Sequence, residues 1–177
     1  MQLRIEGRAR VVGDDINTDY IIASTRKRDT LDEQILKRYL LETVDPKFAA
    51  SVQPGDLLVA GANFGCGSAM EIAATVILAA GITAVLATSF SRTFYRNAIN
   101  NGLIPVECET NSIAEGDRLV VSLDGNALTV ENSTHGARLA AKPISPMMTH
   151  ILDAGGIVEF TRRGGWDLYV RRAGTRT

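Results

Sequence analysis

Between Leu57 and Val106 the chain alternates short apolar runs with segments of helical period, and few residues separate them. "LLVAG" (57–61) has the form of a buried strand and runs directly into a glycine-rich stretch. "AMEIAATVILAA" (69–80) follows as a helix ending at Gly81, "ITAVLATS" (82–89) is a second strand, "RTFYRNAINN" (92–101) is a helix stopped by Gly102, and "LIPVE" (103–107) is a third strand. This order predicts parallel strands covered by helices. Ligands in such layers collect outside the carboxyl ends of the strands, and here that place is "GANFGCGS" (61–68).

The flanks add strands and one more helix. "RIEGRARVV" (4–12) alternates as a strand, and "GDDINTDYII" (13–22) supplies turn residues followed by the β-branched "YII". From Asp29 to Leu41, Leu31, Ile35, Leu36, Tyr39 and Leu40 recur at helical spacing and predict one amphipathic helix. "QPGD" (53–56) is a turn, and "DRLVVSLDGNALTVEN" (117–132) is a hairpin turning at "DGN". "PMMTHILDAGGIVEF" (146–160) reads as a helix and a last strand. With 177 residues the chain suits one domain, expected over 1–162, with a loosely ordered C-terminal tail over 163–177. The fold class expected is α/β.

Partners must be argued from sites, because the net charge is -1 with 45% apolar and 22% charged residues. Such a balance carries no footprint for nucleic acid or an anionic membrane. No apolar run approaches the length of a membrane span and the amino terminus has no apolar core of a signal peptide, so a cytoplasmic protein is expected. Cys66 and Cys108 are too few for a disulfide framework, a four-thiolate zinc site or an iron–sulfur cluster held by this chain alone. His135 and His150 stand in no metal-ligand spacing, and no metal site is expected.

Two stretches carry candidate chemistry. Ser68 followed by Glu71 has the pattern of a capping box, while the glycines of "GANFGCG" let backbone N–H groups come close to an anion. A dinucleotide fingerprint fails there, since Met70 occupies the third glycine position and Thr88 and Ser89 stand where a ribose-binding acid belongs. A phosphate loop fails too, because no lysine follows the glycines. The second stretch is "DDINTDYIIASTRKR" (14–28). Asp14, Asp15 and Asp19 with Arg26, Lys27 and Arg28 form either a solvated turn and loop or a carboxylate-binding loop. In the second case arginine offers a planar fork of donors matched to a carboxylate.

Together, "GDDINTDYII", "NFGCGS", "SFSRTFYRNAINNGLIPV" and "ILDAGGIVEF" resemble, in order and spacing, the small subunits of 3-isopropylmalate dehydratase, the swivelling domain of the aconitase superfamily. The resemblance covers most of residues 5–160. It implies a swivelling β/β/α domain, with a parallel strand-helix core and flanking β-strands, that docks on a separate large subunit carrying a [4Fe–4S] cluster; no cofactor is expected on this chain. The reaction implied is reversible dehydration of a small hydroxy di- or tricarboxylic acid, with the partner's iron binding the departing hydroxyl. Ser68 matches the superfamily's base, Asp19 an active-site aspartate, and Arg28 a substrate-binding arginine of the specificity loop. Arg26, Lys27, Gly67 and Ala69 are expected to join Arg28 in holding substrate. One departure stands out: where the family continues Gly-Ser-Ser-Arg-Glu-His, this chain has Gly67, Ser68, Ala69, Met70, Glu71 and Ile72. The second serine, a carboxylate-contacting arginine and the histidine are replaced, with Met70 and Ile72 at the latter two positions. Dehydratases of 2-methylmalate or dimethylmalate, or a non-catalytic binding or regulatory module of the same fold, are the alternatives.

Overall fold

The computed structural model describes residues 2–174. In chain order the elements begin with β1 (Gln2–Val11), α1 (Thr18–Ile21), α2 (Glu33–Leu36) and α3 (Phe48–Ser51). The predicted alternation follows as β2 (Leu57–Ala60), α4 (Ile72–Ala79), β3 (Ala84–Ala87), α5 (Arg92–Asn101) and β4 (Ile104–Glu107). Then come β5 (Arg118–Asp124), β6 (Ala127–Asn132), β7 (Ala137–Ala140), α6 (Pro146–Ala154), α7 (Ile157–Arg162) and α8 (Gly165–Gly174). Short 3₁₀ turns occupy Arg26–Arg28 and Lys37–Tyr39.

All the strands form a 7-stranded sheet in the order β4-β3-β2-β1-β5-β6-β7. β1 joins two kinds of pairing. Its end, Ala9 to Val11, runs parallel to Leu57–Val59, while Gln2 to Arg8 runs antiparallel to β5. Gly7 lies just before the change of partner, and a Cβ there would sit 2.1 Å from the Gly55 carbonyl oxygen, so the turn ahead of β2 can close only over a glycine. The parallel half matches the expected strand-helix core, and β5 to β7 are its flanking strands.

Successive residues of β2 explain why the runs read as continuously apolar. Leu58 and Ala60 enter one core with Ile21, Leu36, Ile77 and Phe94, whereas Leu57 and Val59 enter a second with Ile99, Val106, Leu123 and Ile151. Both faces of the central strands are therefore covered by helices.

Several segments differ from their sequence expectation. The helix expected over Asp29–Leu41 is cut to α2 and the 3₁₀ turn behind it, with Leu31 71% exposed. Asp32 accepts from the Gln34 N–H at 2.8 Å and gives its own N–H to the Thr30 hydroxyl, local bonds that displace the helix start to Glu33. The β-branched "YII" begins in α1, whose cap is Asn17, accepting from the Tyr20 N–H at 2.9 Å. The expected last strand is instead helix α7. Gly156, at φ +120, redirects the chain and Phe160 packs into the second core, overriding the β preference of Ile157 and Val158. The tail expected from 163 forms α8 up to Gly174, and Trp166 meets Phe160 edge-on with ring centroids 5.3 Å apart. Residues 175–177 lie outside the described residues. β7 had no counterpart in the sequence reading.

Past the carboxyl ends of β1, β2 and β3, the connecting loops stay zipped together. Gly61 donates to Gly13, Asp15 to Ala62, Gly65 to Ile16 at 2.7 Å, and Thr18 to Cys66 at 2.9 Å. On the other side Phe64 donates to Ser89, Ser91 donates back to Phe64, and the Ser91 hydroxyl donates to the Gly65 carbonyl at 2.6 Å. Asp14 accepts from the Ala62 N–H, and Asn63 and Asp15, both at positive φ, are tied by an amide–carboxylate bond of 2.8 Å. Phe64 is fully buried, edge-on to Phe90 and Phe94. The middle loop is thus a rigid platform rather than a mobile one.

Two predictions follow from this framework. Gly65 sits at φ +74, and a Cβ there would lie 2.2 Å from Phe94. Gly65→Ala combines left-handed strain with overpacking and should cost about 2 kcal/mol or more in urea unfolding. The second concerns Asp56, buried before β2, which accepts from Arg8 at 2.8 Å, from Arg10 at 3.4 Å and from the Gln53 N–H at 2.9 Å. Burial pushes its carboxyl up, but Arg8, the Gln53 N–H and Arg10 outweigh it and hold the carboxyl below its ordinary value. A lowered folded-state value means that the stabilisation is present above the unfolded value and lost as the pH falls through the folded one. Urea titrations should show stability dropping as pH falls below about 4, with a shallower drop in Asp56→Asn.

Candidate active site

The glycine stretch leaves its platform at Gly67, which takes φ +92 and turns the chain outward. Ser68 and Ala69 that follow are exposed. The capping box expected of Ser68 and Glu71 does not form. α4 begins at Ile72, Glu71 is already in helical conformation at its cap position, and no side chain caps that end. The reason is tertiary: the Thr18 hydroxyl donates to the Ser68 carbonyl at 3.1 Å and ties the Ser68 backbone to the start of α1, while α4 starts one turn later.

Two consequences matter chemically. The Ser68 hydroxyl makes no hydrogen bond among the described residues, and the backbone N–H groups of Ser68, Ala69, Met70 and Glu71 donate to no other described residue. A serine with an unengaged hydroxyl thus stands in a run of unengaged donors. Such donors stabilise an oxyanion or hold a carboxylate.

Asp19 comes from the neighbouring loop, one residue after the Thr18 that holds the Ser68 carbonyl. It lies in the first turn of α1 and its side chain is half-exposed. Its Oδ1 receives the Ser24 hydroxyl and lies 3.7 Å from Lys27 Nζ, while Oδ2 makes no hydrogen bond with the described residues. Lys27 Nζ also touches the Met70 sulfur, so the basic loop reaches both the Asp19 loop and the Ser68 loop. Met70 and Ile72 pack against the first core with their neighbours.

The three basic residues part company. Arg26 is occupied: Nε and Nη2 donate to the two Glu42 oxygens at 2.8 and 2.9 Å, and the guanidinium stacks on Tyr39 at 3.9 Å. Lys27 turns in toward Asp19 and Met70, with its side chain 14% exposed. Arg28 is exposed and makes no side-chain hydrogen bond or ion pair among the described residues. The structure therefore brings together Ser68, Asp19, Lys27 and Met70, and ties Arg26 to Glu42. Sequence reading missed Thr18 and Ser24. Thr18 stands beside Asp19 in "NTD", but only its 2% exposure and its bond across the loops reveal that it holds the site together.

Among the described residues no group of three or more His, Cys, Asp or Glu side chains could hold a metal ion. Cys66 is half-buried, with Sγ 3.7 Å from the Asp15 carbonyl, and Cys108 is buried, its thiol pushed up to about 11 by that burial.

Known proteins resemble the chain in sequence and in fold. Residues 12–111 match the aconitase C-terminal domain. The chain is 45% identical over 161 residues to 3-isopropylmalate dehydratase small subunit 1 of Methanopyrus kandleri, covering 91% of this chain and 94% of that one. It is 42% identical over 163 residues to small subunit 2 of Archaeoglobus fulgidus, covering 92% and 98%. The crystal structure of 3-isopropylmalate dehydratase from Methanocaldococcus jannaschii superposes with a TM-score of 0.87 at 37% identity, over 96% of this chain and 99% of that one. With these identities over nine-tenths of its length and this superposition, the chain belongs to the family of 3-isopropylmalate dehydratase small subunits.

Proposed function

We propose that the chain is the small subunit of a heteromeric 3-isopropylmalate dehydratase, a hydro-lyase acting on a hydroxy dicarboxylic acid. The observation that carries this reading is the unengaged Ser68 hydroxyl among the unengaged N–H groups of residues 68–71. A serine is a poor base unless its alkoxide is stabilised, and such N–H groups supply that stabilisation. In the forward direction Ser68 takes a proton from the carbon next to a carboxylate, the electron pair left behind forms the carbon–carbon double bond, and hydroxide departs from the neighbouring carbon. The reverse direction adds water. Asp19 offers Oδ2 as an acceptor for the substrate, and Arg28 offers its free fork to a substrate carboxylate.

The relatives from M. kandleri and A. fulgidus are named as small subunits, which supports a large partner subunit for this chain. Exposed Tyr20, Leu31, Ile35 and Val44 flank the Asp19 loop and the basic loop, and a partner docked over the site would remove them from water. This chain's own donors do not fit an iron–sulfur cluster, so any cluster of the assembled enzyme belongs to the large subunit.

Ser68→Ala tests the reading directly. Because the hydroxyl caps nothing, the substitution should leave unfolding stability within about 0.5 kcal/mol of the parent. Turnover of isopropylmalate by the assembled complex should nevertheless fall by orders of magnitude, on the order of 10²-fold or more for a lost base. A fully active alanine variant removes Ser68 from the chemistry and favours a non-catalytic binding module.

Arg28→Lys keeps the charge but not the fork. It should raise KM in the assembled enzyme by roughly tenfold, a loss of about 1.4 kcal/mol. Unchanged kinetics would return Arg28 to the solvated surface.

A further inference from the structure

Thr18 makes two bonds to the glycine loop, and both end on carbonyls. Its backbone N–H donates to the Cys66 carbonyl at 2.9 Å and its hydroxyl to the Ser68 carbonyl at 3.1 Å. Thr18 is buried, at 2% exposure, and a hydroxyl in such a place needs an acceptor within the protein. Gly67 stands between the two carbonyls at φ +92, and a Cβ built on it would find the Thr18 hydroxyl and the Asn17 Cβ at 3.5 Å. A trans peptide carries its N–H on the side opposite to its carbonyl oxygen. The peptides 66–67 and 68–69 therefore turn their oxygens toward Thr18 and the N–H groups of Gly67 and Ala69 away from it. Neither N–H donates to another described residue. The Ser68 carbonyl accepts from no other described group, so the Thr18 hydroxyl alone fixes the second peptide plane.

We infer that Thr18 is a positioning residue: by holding these two carbonyls it presents the Gly67 and Ala69 N–H groups, on either side of Ser68, to a substrate carboxylate. The inference rests on the hydroxy-acid reading of the site and deepens it. When Ser68 takes the proton from the carbon next to that carboxylate, the electron pair left behind is shared with the carboxylate oxygens before it closes the double bond and hydroxide leaves. The charge on those oxygens grows in the transition state, and donors already aimed at them are worth more there than in the ground state. Without the Thr18 hydroxyl nothing among the described residues stops the 68–69 peptide from turning over. The Ser68 carbonyl would then face the substrate where the Ala69 N–H had been, and an oxygen dipole would meet the growing negative charge. The backbone bond to Cys66 is independent of the side chain, so the Gly67 N–H keeps its direction in that case.

The tests use this chain, labelled with ¹⁵N, assembled with its large subunit. In the parent complex isopropylmalate should shift the amide resonances of Gly67 and Ala69, and a spectrum in which neither moves overturns the inference. Thr18→Val keeps the shape and the backbone N–H but loses the hydroxyl. There Gly67 should still respond to isopropylmalate while Ala69 does not. kcat should fall on the order of 10²-fold, the loss of one donor, with a smaller change in KM. Thr18→Ser keeps the hydroxyl and should keep most of the activity. A parent-like kcat in Thr18→Val, or equal losses in the valine and serine variants that track their urea midpoints, makes Thr18 a structural residue only and overturns the inference. If the valine variant does not assemble, the parent amide shifts and the serine variant decide. Amide shifts in a complex that turns over no hydroxy acid would keep the positioning role of Thr18 and overturn the dehydratase reading. Turnover with neither amide shifted would do the reverse.

Discussion

Parallel backbone pairing that continues beyond the strand ends is the constraint on which the rest of this molecule depends. β1, β2 and β3 stop at Val11, Ala60 and Ala87, but their loops go on exchanging N–H and carbonyl groups as far as Thr18, Cys66 and Ser91. Loops at the carboxyl end of a sheet commonly carry function because they vary freely. Here they have little freedom, since most backbone groups of the middle loop up to Cys66 are hydrogen-bonded to the neighbouring loops and Phe64 is buried against Phe90 and Phe94. The freedom begins abruptly at Gly67, where the pairing ends.

That boundary sets the chemistry. Upstream of it, Asp14, Asp15 and Asn63 spend their polar groups on holding loops together. Downstream of it, the Ser68 hydroxyl and the N–H groups of residues 68–71 make no hydrogen bond among the described residues. The protein thus pairs a stiff support with an unsatisfied surface, the combination expected of a site completed by a ligand and a partner. The exposed Tyr20, Leu31, Ile35 and Val44 fit the same picture, because burying them needs a second molecule.

The basic loop shows how one triplet of cations divides. In sequence Arg26, Lys27 and Arg28 are equivalent members of a charge run. The 3₁₀ turn at 26–28 points them in different directions, and three fates result: Arg26 locks onto Glu42 and Tyr39, Lys27 is drawn into the Asp19–Met70 contact, and Arg28 stays in water. A turn of three residues per rotation separates adjacent side chains by about 120°. Adjacent charges on it can therefore serve structure, site and solvent separately.

Much of this was legible from residue order alone. Continuous apolar runs such as "LLVA" announce strands buried on both faces, and the glycines at 81 and 102 end helices because only such residues take the left-handed turn there without strain. The order of strand, helix and strand then places Ser68 at the carboxyl end of a parallel sheet. Local pattern failed wherever a distant partner set the conformation. Ile157 and Val158 favour a strand, yet Gly156 and the burial of Phe160 make them helical. Ser68 and Glu71 read as a capping box, yet a hydroxyl fifty residues upstream holds the Ser68 carbonyl and the helix starts at Ile72. The sequence by itself determined the parallel core and where its candidate residues stand along the chain, because burial and periodicity are properties of a segment and its own residues. Which hydroxyl stays free, which cation turns inward and which N–H groups remain unsatisfied were decided only in the tertiary structure. Those outcomes depend on hydrogen bonds between loops far apart in the chain.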